Sequence, residues 1–393
     1  MKHLFYLNKF FWKYRTLLAI GSVFIIISNV FAVEVAGFVR EAFDAVIENQ
    51  TITNTSKILL KYGSLIILFA LLKGVFMYFM RQTIIVMSRK IEYDLKNEIY
   101  KQYQSLSISF YKKNKTGDLM NRISEDVSRV RMYLGPALMY AINIVILFFL
   151  VISKMLSIST ILTSYVLLPL PILAIAVYFV SNNINKKSER VQEQLSNITT
   201  IAQETFSGVK IIKAFSNEEN VLQVFFNSCK QYTKRQLQLV KIEALFFPLI
   251  ITMIGISTVL TVYIGGLESF KGNISTGNIA EFIIYVNMLA WPVASVGWIT
   301  SLVQRAAASQ ERINSFLLLT ADIQNKTTEH TPIQSDITFN NVSFTYEDTG
   351  IQALKNLNFT LKSEKTIGIF GKTGSGKSTI ANLVCRLYDC TDG

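Results

Sequence analysis

One segment near the carboxyl end of the chain carries residues that could bind a phosphorylated ligand. Residues 371–378 read Gly-Lys-Thr-Gly-Ser-Gly-Lys-Ser. Glycines allow backbone conformations that are closed to other residues, so successive N–H groups can point at phosphate oxygens. In such loops the lysine reaches the β- and γ-phosphates, and the hydroxyl after it coordinates Mg²⁺. The sequence therefore predicts a site for a nucleoside triphosphate with Mg²⁺, in which Lys377 and Ser378 take these two roles.

The residues predicted to contact the nucleotide in this loop are Gly371, Lys372, Thr373, Gly374, Ser375, Gly376, Lys377 and Ser378. No catalytic residue is predicted, because a phosphate-binding lysine supplies neither a base nor a group that positions water.

The elements that must position this loop are predicted from periodicity. From Asp336 onward apolar residues alternate with polar ones, which is typical of strands. Residues 366–370 are predicted to form a short strand directly before the loop. A helix is predicted after the loop, and its N-terminus would add positive charge near the phosphates. The residues expected on one face of that helix are Ile380, Leu383, Val384 and Leu387.

The rest of the chain has the composition of a membrane protein. Half of its residues are hydrophobic, and only 17% are charged, against roughly 25% in soluble domains. A soluble globule of this length is excluded because the charges could not cover its surface. The net charge of +12 could suggest a nucleic-acid partner. The basic residues flank apolar segments instead of gathering on one soluble face, so no nucleic-acid partner is expected.

Six segments are long and apolar enough to cross a bilayer, which requires about 20 residues. A cleaved signal peptide is excluded because the first apolar run is too long. Residues 1–15, before the first span, suit a short helix at the membrane surface. Two polar residues within the spans receive structural interpretations: Glu34 faces water or has a structural role, and Asn143 links helices. The predicted spans are 16–39, 57–80, 134–153, 157–184, 244–267 and 282–304.

Two long loops between the spans carry most of the basic residues. Residues 81–131, here called the first hairpin, contain eleven Lys or Arg, and residues 186–241, the second hairpin, contain nine. The positive-inside rule places both hairpins, the N-terminus and the nucleotide site in the cytosol. Both hairpins are almost free of Gly and Pro, which predicts helices that continue out of the membrane and return to it.

Four stretches together resemble an exporter-type ATP-binding cassette (ABC) half-transporter: 110–127 (FYKKNKTGDLMNRISEDV), 208–219 (GVKIIKAFSNEE), 304–313 (QRAAASQERI) and 336–393. The resemblance implies a mainly α membrane protein. A six-helix exporter-type transmembrane domain would be followed by the N-terminal part of an α/β P-loop nucleotide-binding domain. The expected divisions are an interfacial helix at 1–15, the transmembrane domain at 16–319, a linker at 320–335 and a partial ATP-binding domain at 336–393.

The resemblance also implies roles for residues and partners. Tyr346 would stack on adenine, Thr379 would touch the α-phosphate, and segments 107–118 and 212–219 would couple the spans to the nucleotide domains. The implied cofactors are ATP and Mg²⁺. The implied partners are a second half-transporter subunit, identical or not, the lipid bilayer and an amphipathic substrate such as a lipid, lipid-linked sugar, drug or peptide. The expected location is the bacterial plasma membrane.

The family's signature, second carboxylate motif and switch histidine do not occur in this sequence, which is read as truncated after the phosphate loop. Hydrolysis is therefore expected only of a longer chain. Two alternatives stay open: a non-hydrolytic membrane subunit or regulator that pairs with a full-length partner, and a channel gated by nucleotide.

Overall fold

A computed structural model describes residues 2–48, 52–323 and 336–393. Contacts divide these residues into two compact units. The span unit comprises residues 14–87 and 134–303, and the loop unit comprises the described parts of residues 1–13, 88–133 and 304–393. Within the predicted linker 320–335, residues 324–335 lie outside the described residues.

The described chain is mainly helical, and six of its helical segments are long and apolar enough to cross a membrane. This confirms the predicted number of spans. The helices are α1 (Asn8–Lys13), α2 (Arg15–Glu48), α3 (Ile52–Ser105), α4 (Ile108–Lys113), α5 (Thr116–Asn121), α6 (Val127–Met132), α7 (Leu138–Ile158), α8 (Thr160–Leu167), α9 (Pro169–Ser207), α10 (Val209–Ala214), α11 (Glu218–Phe270), α12 (Thr276–Leu317) and α13 (Lys377–Val384).

Several of these helices extend far beyond the predicted spans. α3 has 54 residues, a length of about 80 Å at 1.5 Å per residue. Helix therefore continues from the apolar segment into the first hairpin, as the scarcity of Gly and Pro predicted. Many apolar side chains of α3 remain exposed, among them Leu60 at 71% and Leu71 at 64%. Such exposure is unfavourable in water and normal in lipid.

Spans one and two are joined by a series of aromatic contacts. On α2, Phe24, Phe31 and Phe38 recur every seven residues, so they lie on one helix face. The ring of Phe38 packs edge-on against Phe69 of α3 at 4.8 Å, and Phe31 contacts both Phe69 at 5.3 Å and Phe76 at 5.6 Å. Edge-to-face and tilted pairs of this kind are worth about 0.5–1.5 kcal/mol each beyond area burial.

The two polar residues singled out in the spans both have structural partners. Asn29 of α2 donates a hydrogen bond from Nδ2 to Oδ1 of Asn143 in α7 at 2.9 Å, so Asn143 does link two helices. Glu34 pairs with Lys154 through a contact of 2.8 Å, and both side chains are partly exposed. This ion pair and the partial exposure agree with the interpretation that Glu34 faces water or has a structural role.

In the loop unit, the first hairpin packs on the end of α12. Phe316 is buried and contacts the rings of Tyr103 at 4.7 Å and Phe110 at 6.1 Å. A π-helical turn at Arg122–Asp126 interrupts the hairpin, and its buried Asp126 forms a two-point ion pair with Arg312 of α12. These two residues belong to two of the sequence stretches that carry the family resemblance.

The residues after the linker begin with two antiparallel strands, β1 (Ile337–Thr345) and β2 (Gln352–Leu361). Phe339 stacks on Phe359 across the pair at 4.5 Å. Both strands agree with the alternation predicted from the sequence. On one face Phe344, Leu354 and Tyr388 form a small core against which Ile380 and Leu383 of α13 pack.

Two local predictions in this region are wrong. Residues 366–370 form no strand pairing, and Phe370 is 95% exposed. A strand requires a neighbour for its backbone hydrogen bonds, and among the described residues the sheet contains only β1 and β2. The prediction that Leu387 lies on the helix after the loop is also wrong, because α13 ends at Val384. The chain turns at Arg386, which has a positive φ of 52°, so Leu387 cannot continue the helical face.

Candidate functional site

The phosphate loop has the backbone geometry for which its glycines are needed. Gly374 and Gly376 have φ values of +82° and +85°, in the left-handed region that side chains disfavour. At Gly376 an added Cβ would also lie 2.5 Å from the carbonyl oxygen of Ala353 in β2. At Gly371 an added Cβ would lie 2.7 Å from Oγ of Ser375. The loop therefore folds close to β2 and close to itself, which side chains at these positions would prevent.

Lys377 is the first residue of α13, and its ammonium folds back into the loop. Its Nζ donates to the carbonyl oxygens of Gly371 at 2.8 Å and Lys372 at 2.7 Å. The same loop is tightened by a backbone bond from Ser375 N to Lys372 O at 3.2 Å. A positive charge is thus held inside a ring of backbone groups at the positive end of a helix dipole, an arrangement that suits an anion.

The two residues after Lys377 differ in exposure. Ser378 is exposed in the first turn of α13, where its hydroxyl is accessible to a metal ion carried by a phosphate. Thr379 is buried, and its hydroxyl lies 3.0 Å from the hydroxyl of Tyr346. The structure therefore brings together Thr379 and Tyr346, which are far apart in the sequence. Of the other predicted loop residues, Lys372, Thr373 and Ser375 are exposed.

The site has no preformed metal cage. No group of three or more His, Cys, Asp or Glu side chains that could hold a metal occurs in the described part of the chain. Mg²⁺ keeps several waters and binds through few protein ligands together with substrate phosphates. The Ser378 hydroxyl, the loop N–H groups and Lys377 fit the chemistry of a magnesium nucleotide.

The ring of Tyr346 lies within an aromatic cluster. Phe344 and Tyr388 contact it in nearly perpendicular orientations, with centroid distances of 4.9 and 5.6 Å. Spacing in the sequence does not indicate Tyr388 as a residue of the site, because Tyr388 reaches Tyr346 only after the turn that ends α13.

A helix of the first hairpin, α4, also reaches this cluster. The ammonium of Lys112 lies over the Tyr346 ring, 4.7 Å from its centroid. The neighbouring Lys113 forms an ion pair with Glu347 at 3.2 Å. Interaction with the Tyr388 hydroxyl raises the pKa of Lys112 above its usual value, so this lysine is charged at neutral pH. The resemblance pointed to segment 107–118 as a coupling element, and the structure shows which residues touch Tyr346 and Glu347.

The chain matches the models of two protein families. The family model described as "ABC transporter transmembrane region" matches residues 18–293, more than half of the chain. The chain belongs to the ABC transporter family. A second family model, described as "ABC transporter", matches residues 354–393, which include the phosphate loop but not Tyr346.

Curated relatives of this ABC transporter chain include proteins with transport-related names. The "Multidrug resistance-like ATP-binding protein MdlA" of Escherichia coli is 29% identical over 85% of this chain and 57% of its own length. The "Uncharacterized ABC transporter ATP-binding protein YknU" of Bacillus subtilis is 31% identical over 82% and 55%. The "ATP-dependent lipid A-core flippase" of Syntrophus aciditrophicus is 29% identical over 95% and 62%. The chain thus spans about 55–62% of the length of these relatives.

Proposed function

We propose that this chain is a subunit of an ATP-driven exporter that moves an amphipathic substrate away from the cytosolic side of the membrane. The observation that carries the proposal is the contact of α4 with Tyr346 and Glu347. α4 follows directly on α3, whose apolar part is a membrane span. A segment continuous with a span thus touches the residues beside the phosphate loop, so nucleotide binding could be transmitted to the spans.

In this proposal the nucleotide is ATP with Mg²⁺. Lys377 would contact the β- and γ-phosphates, Ser378 the Mg²⁺ ion and Thr379 the α-phosphate, while Tyr346 would stack on adenine. The remaining contacts would come from the N–H groups of residues 371–376. Bound Mg²⁺ would neutralise phosphate charge during hydrolysis. The protein's own part, as seen here, is to bind and orient the nucleotide.

The proposed organisation keeps the divisions 1–15, 16–319, 320–335 and 336–393. The N-terminus, both hairpins and the phosphate loop would face the cytosol of a bacterial cell, in keeping with the basic residues of the hairpins. The names of the relatives, which refer to multidrug resistance and to lipid A-core flipping, support an amphipathic substrate. Lipids, lipid-linked sugars, drugs and peptides all fit this description.

We further propose that two subunits form the working exporter. The tip of the second hairpin supports this, because large apolar side chains there are exposed: Phe206 at 78%, Ile211 at 66% and Phe215 at 79%. They lie on or beside α10, in a polar hairpin outside the predicted spans. Apolar groups at such a place favour burial against another protein surface.

The test is nucleotide-dependent transport in membranes of the native organism. Ethidium or a fluorescent phosphatidylethanolamine would be supplied at the outer face of inside-out vesicles, which is the cytosolic face of the membrane. Its movement inward would be compared between vesicles with the natural protein and vesicles with Lys377→Ala. We expect Mg-ATP to drive movement of at least one probe, and Lys377→Ala to abolish it while the protein stays in the membrane. Equal movement of the probes with the natural protein and with Lys377→Ala would contradict the proposal. So would a failure of Mg-ATP to move either probe with the natural protein. Lys365→Ala, which removes an exposed lysine outside the loop, is the matched control and should transport like the natural protein.

A further inference from the structure

The contact between Lys112 and Tyr346 places a cation where a nucleotide base is proposed to bind. The Tyr346 ring is held in place through its hydroxyl by Thr379 and at its sides by Phe344 and Tyr388. Lys112 lies over the ring, and its Nζ is also 5.3 Å from the centroid of Tyr388. A cation over an aromatic face is attracted to the negative ring surface, so this face of Tyr346 is already used.

Lys112 is positioned by neighbours on both sides of it in the sequence. Upstream, the hydroxyls of Ser107 and Ser109 donate to one carboxylate oxygen of Asp322, at 2.7 and 3.0 Å. Downstream, Lys113 pairs with Glu347, the residue after Tyr346. α4 is therefore anchored at two points, and the Lys112 ammonium is directed to the aromatic cluster from a fixed backbone.

The Tyr346 ring borders a cavity of about 430 Å³. This volume lies within the range of about 300–1,000 Å³ that is usual for small-molecule pockets. Lys112 and Tyr346 both form part of its wall. The residues lining it include Ser107, Lys112, Asp322, Tyr346, Tyr388 and Thr391.

We propose that this cavity receives the base of the bound nucleotide and that Lys112 must leave the face of Tyr346 for the base to stack there. The inference rests on the proposed nucleotide binding at the loop. Lys112 would then belong to the nucleotide site, and its position would depend on whether a base is bound. Displacement of Lys112 would free one of the contacts between α4 and the aromatic cluster, so the hairpin that follows the second span would respond to the base itself.

The proposal predicts an effect with an unusual sign. Removing a lysine near an anionic ligand ordinarily weakens binding, because a favourable Coulomb interaction is lost. If Lys112 competes with the base, its removal strengthens ATP binding instead. Cation–π contacts at exposed sites are weak, and their loss corresponds to about a two- to five-fold change in affinity.

The experiment measures dissociation constants of Mg-ATP and of magnesium tripolyphosphate for the full chain in lipid nanodiscs. Tripolyphosphate carries the charge of the nucleotide but has no base. We expect Lys112→Gln to bind ATP about two- to five-fold more tightly than the natural chain, with no gain for tripolyphosphate. Lys112→Arg should show no gain for ATP, because a guanidinium also stacks on tyrosine.

Lys115→Gln is the matched control, since it removes the same charge from an exposed position of the same hairpin and leaves both anchors of α4 intact. It should bind ATP no more tightly than the natural chain. Unchanged or weaker ATP binding by Lys112→Gln would overturn the inference, as would an equal gain for tripolyphosphate or for Lys115→Gln. Binding of ATP that is independent of Lys377 would overturn the proposed loop function. Binding that depends on Lys377 but does not strengthen in Lys112→Gln would overturn only the role of Lys112.

Discussion

The carboxylate of Asp44, near the end of α2, accepts a hydrogen bond of 2.8 Å from the backbone N–H of Gly277 in the first turn of α12. Its second oxygen accepts a bond from the Ser275 hydroxyl at 2.7 Å. The first N–H groups of a helix have no partner within the helix. Asp44 thus performs from another span the task that an N-cap residue usually performs locally, and its charge is favourable at this helix end.

Replacing Asp44 should weaken the association of spans one and six. Asp44→Ala removes both hydrogen bonds and the charge, and we expect a cost of about 1–2 kcal/mol. Asp44→Asn keeps one oxygen acceptor and should cost less. Thermal unfolding in detergent, monitored by circular dichroism, measures the difference. Equal stability of Asp44→Ala and the natural chain would show that this contact contributes nothing.

The close approach at Gly277 allows a second, steric test. A Cβ at this position would lie 2.5 Å from the carbonyl oxygen of Arg40 and 2.6 Å from Oδ1 of Asp44. The obstacle includes backbone, which cannot move away as a flexible side chain can. Gly277→Ala should therefore lower the unfolding temperature. Gly63→Ala and Gly74→Ala on α3 meet nothing within 4 Å, and they should be neutral or stabilising because alanine favours helix.

Contacts of this kind could not be predicted from the sequence. Hydropathy and length locate six spans because lipid imposes the same requirement on every spanning helix. The spacing of the glycines predicts the phosphate loop, because each glycine permits an unusual backbone conformation at its own position. The hydrogen bond between Asp44 and Gly277 depends on how two helices far apart in the sequence pack together. The residues near either position in the sequence do not indicate that packing. The same is true of Lys112 over Tyr346.

The wrong strand prediction at residues 366–370 has a related cause. Ile367 and Ile369 alternate with smaller or polar residues, a pattern that suits a strand. Alternation of this kind shows only that a segment is able to form a strand. The strand forms only where the backbone of a neighbouring strand can pair with it. β1 and β2 satisfy this requirement for each other because only a short connection separates them.

The ion pair between Asp126 and Arg312 should respond unequally to removal of its two members. Asp126 is buried, with a side chain that is 1% exposed, whereas the side chain of Arg312 is 48% exposed. Arg312→Ala leaves a buried carboxylate without its cation and should cost toward the lower end of the about 3–5 kcal/mol for a broken buried pair. Asp126→Ala leaves an arginine that water can reach, and should cost roughly 1 kcal/mol. Thermal stability of the two variants gives the order directly.

A double variant separates this pair from general packing damage. Asp126→Leu with Arg312→Leu removes both charges and leaves no unpaired group. Replacement of a buried ion pair by apolar residues is often nearly neutral, so the double variant should be more stable than Arg312→Ala. If it is less stable, the loss in Arg312→Ala does not come from an unpaired Asp126.

The two left-handed glycines of the phosphate loop should differ in their tolerance of alanine. Both Gly374 and Gly376 have positive φ, and an L-residue there costs about 1–2 kcal/mol. Only Gly376 also lacks space, because the carbonyl oxygen of Ala353 blocks its Cβ. Gly376→Ala should therefore displace the start of α13 from β2, whereas Gly374→Ala should leave α13 in place. Hydrogen exchange of the α13 amides measures this. Equal protection in the two variants would contradict the geometry.

The hydroxyl and the ring of Tyr346 can be tested separately. Tyr346→Phe removes the contact with the buried Thr379 hydroxyl, with a stability cost of about 1 kcal/mol, but keeps the ring on which a base would stack. Its affinity for Mg-ATP should stay close to that of the natural chain. Tyr346→Ala removes the ring and should weaken ATP binding by about 1–3 kcal/mol, the range for stacking of a base on an aromatic side chain. Tripolyphosphate, which has no base, should bind both variants equally. Weaker tripolyphosphate binding by Tyr346→Ala would mean that the ring supports the phosphate loop through Thr379 instead of contacting the base.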